Sequence, residues 1–333
     1  MTISEIAKLA GVSSAAVSRY FNDGYLSPEK REVIERVVKE TGYRPSPQAA
    51  TLRTRKSNLI GVVLPRIESH SIARVVAGIS SVMNRKKHKI MLASTENNPE
   101  EELRYLKVFD EKQVDGVIFV ATVMTEKHRK MIKKSSVPIV VVGQQVDEAD
   151  CIYHDDYHAT YELVELLHEK KCQRLAYIAA IKEDRAVGND RTQGYRDAVK
   201  AFGMTDDDSH IVVADFSMES GYEAMGQLLE IDPAIDAVIA ATDTIAVGAL
   251  RRLREHGRRV PEDILLAGIG NSPMSQVTTP MLTTMNYAYE DSGSQAAKLL
   301  LKRISGEKND PEDEYQSICL PHQLIEREST GGV

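Results

Sequence analysis

Tryptophan is absent from this 333-residue chain and aromatic residues make up only 5% of it, so aliphatic side chains must build the core. The three cysteines, Cys151, Cys172 and Cys319, are far apart and form no C-x-x-C pair. This spacing argues against a disulfide framework or a zinc site and for reduced thiols. No apolar run reaches the roughly 18 residues of a membrane span, and no export signal is recognisable. We therefore expect a soluble, cytoplasmic protein.

The sequence also lacks the common motifs of enzymes. It contains no G-x-x-x-x-G-K-[ST], and the glycines of GIGNS (268–272) do not fit a dinucleotide fingerprint. No serine stands in a nucleophile elbow, and no acid and base are paired. His154 and His158 enclose two carboxylates and could ligate a metal, but a polar cap at a strand-to-helix junction is the reading we favour. We expect no enzymatic activity, no cofactor and no metal.

Charge is distributed unevenly along the chain. The net charge is −7, yet residues 1–56 carry +4 and the remainder −11. A basic head on an acidic body is typical of a protein whose head alone binds a polyanion. A second basic cluster, Arg251 to Arg259, is better explained as a solvated helix face than as another nucleic-acid site.

The first 22 residues carry the clearest pattern. Apolar residues at 3, 6, 7 and 10 follow one helix face, and Thr2 with Glu5 forms a capping box. Gly11 provides a turn, and Ser13 can cap a second helix whose outward residues are Ser14, Ala15, Ser18 and Arg19. Two short helices joined in this way predict a helix-turn-helix unit that inserts its second helix into the DNA major groove. The alternative is an amphipathic helical hairpin that binds no DNA.

Two further segments complete the head. Ser27-Pro28-Glu29 predicts the start of a third helix that runs to about Thr41 and is capped by Gly42. Residues 46–58 form a linker with a short potential helix that would need a partner to become ordered. Leu52 lies between basic residues there, as in side chains that pry open a minor-groove step. A solvated tether is the alternative.

From residue 59 onward, short apolar runs alternate with amphipathic segments. This pattern predicts parallel sheets covered by helices on both faces. The eight runs are 59–65, 89–94, 115–121, 138–143, 174–180, 210–215, 236–242 and 264–270. A break near 144–157 divides the series into two α/β lobes with a ligand mouth between them, and we expect a return crossover around 283–292. The predicted domains are 1–45, 46–58 and 59–333.

Several segments resemble the lactose-repressor (LacI/GalR) family of bacterial regulators. They are ISEIAKLAGVSSAAVSRYFN, SPEKREVIERVVKETGYRPS and AATLRTRKSNLIGVVLP, followed by RTQGYRDAV, ATDTIAVGALRRL and VPEDILLAGIGN. The resemblance covers essentially the whole chain and is greatest to sucrose- and trehalose-type repressors. It implies a helix-turn-helix head and a periplasmic-binding-protein-like sensor of two doubly wound lobes. It also implies a homodimer on a pseudo-palindromic operator, with a sugar or sugar-phosphate effector between the lobes.

The resemblance also assigns sites, with family recognition positions at Ser14, Ala15 and Arg19 and the leucine wedge at Leu52. The predicted DNA-binding residues are Ser4, Ser13, Ser14, Ala15, Ser18, Arg19, Asn22, Ala49, Leu52 and Arg53. The predicted effector-binding residues are Arg66, Ser71, Gln144, Arg191, Phe216, Asp243 and Asn271. Gly270 replaces an aspartate that is frequent in the family, and Ala16 a common threonine. For Asp243, a role as helix N-cap is the alternative.

The regulatory input stays open between three possibilities: a free disaccharide, a sugar phosphate, and a phosphoprotein corepressor of the catabolite-control kind. A phosphorylated effector would need clustered cations, which Arg191 with Arg185 or Arg66 could supply. A carbohydrate kinase with a DNA-binding head would require a phosphate loop, and none is present. A transport protein would require an export signal and no basic head.

Overall fold

The computed structural model describes residues 1–22, 24–43, 57–111, 114–204, 207–306 and 315–332. They belong to two compact units, Met1–Ser57 and Asn58–Val333. Within these ranges, no helix combines the length and the apolar character needed to cross a membrane.

The first unit contains three helices. They are α1 (Ile3–Leu9), α2 (Ser14–Phe21) and α3 (Pro28–Thr41). The predicted caps are present: Thr2 and Glu5 bond reciprocally, and the Ala16 N–H donates to Ser13 Oγ at 3.2 Å. The helix α3 ends at Gly42 in the left-handed conformation. The buried residues of the shared core are Ile6, Ala7, Ala10, Ala16, Val17 and Ile34.

The second unit alternates strands and helices. Its strands are β1 (Leu59–Leu64), β2 (Lys89–Ser94), β3 (Gly116–Val120), β4 (Ile139–Val142), β5 (Asp150–His154), β6 (Leu175–Ala179), β7 (Ile211–Val213), β8 (Ala237–Ala240), β9 (Leu265–Ile269), β10 (Thr283–Tyr287), β11 (Ser317–Leu320) and β12 (His322–Ile325). Its α-helices are α4 (His70–Arg85), α5 (Pro99–Glu111), α6 (Glu126–Lys134), α7 (Asp156–Glu169), α8 (Arg191–Ala201), α9 (Met218–Ile231), α10 (Asp243–Glu255), α11 (Pro273–Val277) and α12 (Tyr289–Ser305). A π-helical turn, Arg185–Asp190, precedes α8, and 3-10 turns occupy Asp208–His210 and Glu328–Thr330.

These strands build two six-stranded sheets, one in each lobe. The first lobe has the order β11-β5-β4-β3-β1-β2 and the second the order β12-β10-β9-β8-β6-β7. Every pairing is parallel except β10 with β12, which is antiparallel. The predicted pair of helix-covered parallel sheets is therefore confirmed, with one antiparallel edge.

Each sheet is covered on both faces, so its strands alternate between two apolar surfaces. In β1, Ile60 and Val62 face a cluster that includes α4 and α12, whereas Val63 faces a cluster with residues of α5 and α6. The second lobe encloses one continuous cluster in which Tyr177 is fully buried. These cores fix the strand ends at which polar side chains can be displayed.

The chain passes between the lobes three times. It crosses at residue 155 between β5 and α7, at residue 288 between β10 and α12, and at residue 321 between β11 and β12. The return crossover expected around 283–292 is therefore present. Each lobe is consequently assembled from segments that are distant in sequence.

Glycines permit close helix contacts in both lobes. A Cβ atom on Gly78 of α4 would lie 2.0 Å from the Glu290 carbonyl oxygen of α12, and one on Gly293 would lie 2.0 Å from the Val75 carbonyl oxygen. In the second lobe, a Cβ on Gly248 of α10 would lie 2.0 Å from the carbonyl oxygen of Met218 in α9. No other residue fits these contacts without moving a backbone.

All eight predicted apolar runs form strands, but four strands were not predicted. The segment 144–157 was expected to be a break and contains β5, and β10, β11 and β12 were not expected. These strands are rich in polar residues, such as Asp150 in β5 and Thr283, Thr284 and Asn286 in β10. Polar runs give no signal of burial in the sequence.

Candidate functional site

The second helix of the first unit presents a polar, exposed face. Ser14, Ala15 and Arg19 are exposed, and Ala16 and Val17 on the opposite face are buried. Within the described residues of this unit, α2 is the helix that follows the Gly11 turn, where the backbone is left-handed. This arrangement leaves short side chains and one guanidinium group available to a groove of DNA.

A cavity of about 510 Å³ lies between the two lobes of the second unit. Its wall contains residues one or two positions beyond the ends of parallel strands, including Arg66 after β1, Thr122 after β3, Thr242 after β8 and Gly270 after β9. Strand ends of parallel sheets are where such folds bind ligands, and the volume lies within the usual range for small-molecule sites. The cavity is therefore the candidate ligand site.

Arg191, the first residue of α8, is held inside this wall. Its Nε donates to Asp156 Oδ1 at 2.6 Å, and its Nη1 donates to the Ala241 carbonyl oxygen. The guanidinium carbon lies 5.3 Å from the ring centre of Tyr287, whose hydroxyl donates to Asp156 Oδ1 at 3.0 Å. Burial opposes the charge on Arg191, but Asp156 and the neighbouring tyrosines raise its pKa well above the ordinary value. Arg191 and Asp156 therefore form a buried ion pair.

Asp243, the first residue of α10, is also buried at the cavity wall. Its Oδ2 accepts a hydrogen bond from the Ser272 N–H at 2.6 Å, and its Oδ1 accepts one from Thr284 Oγ1 at 2.5 Å. Burial raises its pKa despite these donors. The N-cap of α10 is Thr242, whose Oγ1 accepts from the Ile245 N–H at 3.2 Å. The alternative assignment of Asp243 as the N-cap is therefore wrong, since the position belongs to the preceding residue.

Aromatic rings form another part of the wall. The Arg66 guanidinium carbon lies 5.3 Å from the Phe216 ring centre. The His154 ring stacks on Tyr287 at 4.7 Å and contacts the Tyr289 ring edge at 5.4 Å. Flat apolar faces therefore lie beside hydrogen-bonding groups, which is the chemistry needed to bind a polar ligand with apolar ring faces.

Burial perturbs two titratable groups at the wall in opposite directions. It lowers the pKa of His154 to about 4, so the imidazole is neutral at pH 7. It raises the pKa of Asp184 to about 6, although the Val187 N–H donates to Asp184 Oδ1 at 3.1 Å. In both cases desolvation is the largest cause, because it penalises the charged form.

A second, smaller cavity of about 230 Å³ adjoins the first at His154 and Asp156. Its wall includes Gln144 and Arg185. Arg185 is paired with Asp190 at 3.7 Å and is half exposed. The two cavities share a wall that contains the first crossover.

Comparison with known proteins accounts for both units. Residues 2–46 match the model of bacterial regulatory proteins of the lacI family, and residues 164–330 match that of a periplasmic binding protein-like domain. The sucrose operon repressor of Staphylococcus xylosus is 31% identical over 91% of this chain and 93% of its own length. Catabolite control protein A of Priestia megaterium is 31% identical over 99% of both chains. A solved complex of the transcriptional regulator CelR with cellobiose is 31% identical over 99% of both chains, with a TM-score of 0.75.

The chain belongs to the lacI family of bacterial regulatory proteins. It is therefore a DNA-binding transcriptional regulator, and the relatives named above are regulators rather than enzymes. The resemblance inferred from the sequence is confirmed. Among the described residues, no group of three or more His, Cys, Asp or Glu has a metal-binding arrangement.

Seven of the predicted DNA-binding residues of this lacI-family chain lie within its described part. Ser4 is exposed on α1, and Ser13 is used as the cap of α2. The Asn22 side chain donates to the Ser18 carbonyl oxygen at 2.7 Å, so it closes the end of α2. The exposed groups Ser14, Ala15 and Arg19 are described above. Contact of these residues with DNA stays a prediction, and Ala49, Leu52 and Arg53 lie outside the described residues.

Of the seven predicted effector residues, the structure brings five to the wall of the larger cavity, and their role there stays a prediction. The five are Arg66, Ser71, Arg191, Phe216 and Asp243. Gln144 is placed elsewhere: its amide donates to the Thr122 carbonyl oxygen at 2.6 Å, and it lines the smaller cavity. Asn271 is also outside the wall, because its side chain donates to Asn286 at 3.2 Å and accepts from Arg327 at 2.7 Å.

Other wall residues were not predicted as effector contacts. They include Asp184, His154, Asp156, Tyr287 and Tyr289. In the sequence, His154 and Asp156 stood out only as part of a possible metal site. Tyr287 ends the unpredicted strand β10, and Tyr289 begins α12. The signal that would have found Asp156 is its place between a strand and a helix, where the chain changes lobe.

Of the cations considered for a phosphate site, Arg66 and Arg191 line the larger cavity and Arg185 lines the smaller one. Arg191 is neutralised by Asp156, and Arg66 lies against Phe216. Two arginines of the second basic cluster form ion pairs at the surface. Arg251 pairs with Glu255 at 3.0 Å, and Arg259 pairs with Asp263 at 2.7 Å.

Proposed function

We propose that this protein is a cytoplasmic repressor of a carbohydrate-utilisation operon, released from its operator by a sugar or sugar-phosphate effector. In this proposal, residues 1–45 bind DNA, 46–58 form the hinge, and 59–333 bind the effector and dimerise. The protein acts as a homodimer, because two heads related by two-fold symmetry match a pseudo-palindromic operator.

The observation that carries the proposal is the cavity between the lobes, lined by both polar and aromatic side chains, in a chain that also has an exposed helix after the Gly11 turn. Buried donors and acceptors beside aromatic faces suit a hydroxyl-rich ligand. The names of a sucrose operon repressor and of a CelR–cellobiose complex among the relatives support a carbohydrate.

In the proposed mechanism, the angle between the two lobes changes at the three crossovers that connect them. A ligand that contacts both lobes favours one angle between them, because it stabilises the conformation to which it binds more tightly. In a dimer, the new angle changes the spacing of the two segments 46–58. Short helices with little to bury then lose their order, and operator affinity falls.

The experiment measures DNA binding and effector response on the same full chain. A duplex is selected from a random library by the purified protein, and its binding is followed by fluorescence anisotropy while sucrose, trehalose, cellobiose, maltose and their 6-phosphates are added. We expect one of these compounds to release the DNA. Arg19→Ala and Leu52→Ala are expected to weaken DNA binding but leave the ligand-induced thermal shift unchanged. Equal loss of both properties would contradict the proposal.

One relative supports a second candidate function. Catabolite control protein A matches this chain at 31% identity over its full length, so a phosphoprotein corepressor is the alternative input. In that case DNA binding increases when a phosphoprotein corepressor is added. The same anisotropy assay distinguishes the two functions, because a sugar effector decreases DNA binding whereas a phosphoprotein corepressor increases it.

A further inference from the structure

The buried guanidinium of the effector cavity has no charge left for an anionic ligand. Arg191 is 4% exposed, and both its ion pair with Asp156 and its bond to the Ala241 carbonyl are internal. A phosphate would have to replace Asp156, which would leave that carboxylate buried without its partner. Such a replacement is strongly unfavourable.

The remaining charges at the wall are mostly negative. Besides the paired Arg191 and Asp156, the wall contains one guanidinium group, that of Arg66, and the carboxyl groups of Glu68, Asp184, Glu219 and Asp243. The two histidines add no positive charge at neutral pH, because burial lowers the pKa of both His70 and His154. A dianionic phosphate entering this cavity meets a negative potential.

Helix N-termini usually attract phosphate, but most of those at this wall already carry a carboxylate of the chain. The Ser272 N–H that begins α11 donates to Asp243, and the Val187 N–H of the π-helical turn donates to Asp184. Glu219 stands in the first turn of α9. These internal anions occupy the positions that a phosphate would use.

Neutral polar groups, by contrast, are available. Ser272 Oγ is buried at the wall beside the Asp243 carboxylate. The Nε2 atom of His154 is buried without a partner in the described part of the chain, and its neutral ring can act as donor or acceptor. Partly exposed side chains of the wall, such as Ser71 and Thr122, can bond to hydroxyl groups of a ligand, and the rings of Phe216 and Tyr289 offer apolar faces.

From these observations we infer that the effector is an uncharged, hydroxyl-rich sugar and that the cavity discriminates against phosphate esters of the same sugar. This inference rests on the proposed function and narrows its ligand class. The position most favourable to a phosphate is the N-terminus of α4 near Arg66, where Ser69 makes no capping bond to the helix. Glu68 precedes it directly and opposes an anion there.

The test compares matched ligand pairs on the full-length protein. Isothermal titration calorimetry at pH 7.5 and low ionic strength is performed with sucrose, trehalose and cellobiose and with the 6-phosphate of each. We expect at least one neutral sugar to bind and its phosphate ester to bind at least about tenfold more weakly, since low salt leaves charge repulsion unscreened.

A pair of variants then tests the cause. Glu219→Gln removes one carboxylate from the wall. It is expected to reduce the difference in affinity between the neutral sugar and its phosphate ester about threefold. Glu223→Gln, one turn further along α9 and outside the wall, is the matched control and should leave the difference unchanged.

The outcomes separate the inference from the proposed function. A phosphate ester that binds as tightly as its parent sugar overturns the inference and leaves a sugar-responsive repressor in place. Binding of neither form by a protein that still binds its selected DNA overturns both the inference and the effector part of the proposed function.

Discussion

The first lobe contributes to the cavity through strand ends such as Ala121, Thr122 and Gly143, together with the polar side chains of Arg66, Glu68 and Ser71. The second lobe contributes charged side chains that are already hydrogen-bonded within the protein. Arg191 with Asp156, and Asp243 with Thr284, are fixed before any ligand enters. Two lobes with the same strand order therefore differ in how much of the binding chemistry they supply.

This difference indicates a division of labour. Preorganised groups lose little freedom when they bind a ligand, so the second lobe is suited to hold the effector. The first lobe has fewer fixed polar groups at the wall and is suited to close over it. Substitutions in the two lobes should therefore affect stability and ligand response in different proportions.

The largest expected effect follows from Arg191→Ala. It leaves the Asp156 carboxylate buried without its cation, and breaking a buried pair costs about 3–5 kcal/mol of unfolding free energy. Urea unfolding measures this loss, and the ligand-induced thermal shift should disappear. The double variant Arg191→Ala, Asp156→Ala should recover part of the stability. A loss in the double variant equal to the sum of the losses in Arg191→Ala and Asp156→Ala would show that the pair is not coupled.

The second prediction concerns pH and His154. Its pKa falls from 6.5 when unfolded to about 4 when folded, so the unfolded state binds more protons between these values. Its contribution to stability is therefore present above pH 6.5 and lost as the pH falls through about 4. At 1.36 kcal/mol per unit, the loss is about 3 kcal/mol.

Replacing His154 separates its contribution to the pH dependence of stability from the opposing contribution of Asp184. Asp184, with its pKa raised from 3.8 to about 6, contributes stability that is present at low pH and lost as the pH rises through about 6. The difference in unfolding free energy between the parent and His154→Gln should therefore change between pH 6.5 and 4. His158→Gln, which removes an exposed imidazole, is the control. If the curves of unfolding free energy against pH run parallel for the parent and His154→Gln, the prediction is refuted.

A smaller effect is expected for Thr284→Val in the second lobe. This change removes the hydroxyl donor to the buried carboxylate of Asp243, and a hydrogen bond to a charged group is worth about 1.5–3 kcal/mol. Thermal unfolding should show the loss, together with a raised pKa of Asp243. Unchanged stability would mean that the Ser272 N–H alone satisfies the carboxylate.

The smallest effect is expected for Ser71→Ala in the first lobe. Ser71 is only half buried and its Oγ bonds to Ser69 Oγ at 3.0 Å, so stability should change by no more than about 0.5 kcal/mol. Ligand affinity should still fall, because Ser71 lies at the cavity wall. A large stability loss here would contradict the unequal division between the lobes.

Local patterns in the sequence were sufficient for much of the fold. The caps at Thr2 and Ser13 and the eight apolar runs each depend on neighbouring residues, so they could be read directly. Strand β5 could not, because its buried Asp150 is stabilised by two 2.7 Å bonds from Arg303 of α12. A partner about 150 residues away leaves no periodic signal.

The sequence also predicted part of the candidate site. Arg191 and Asp243 follow from the family resemblance, and both lie at the cavity wall. Gln144 and Asn271 lie outside the wall of the larger cavity. Gln144 is held away from that wall by its bond to the Thr122 carbonyl oxygen, and Asn271 by its bond to Arg327. Orientation of a polar side chain depends on such distant partners, and the sequence alone does not reveal them.

The glycine contacts between α4 and α12 and between α9 and α10 have a mechanical consequence. Backbone pressed against backbone leaves no layer of side chains that could slide or compress, so each lobe is stiff. Bending is then restricted to the crossovers at 155, 288 and 321. A bulky residue at position 78 or 248 should therefore disrupt signalling even though neither glycine touches the ligand cavity.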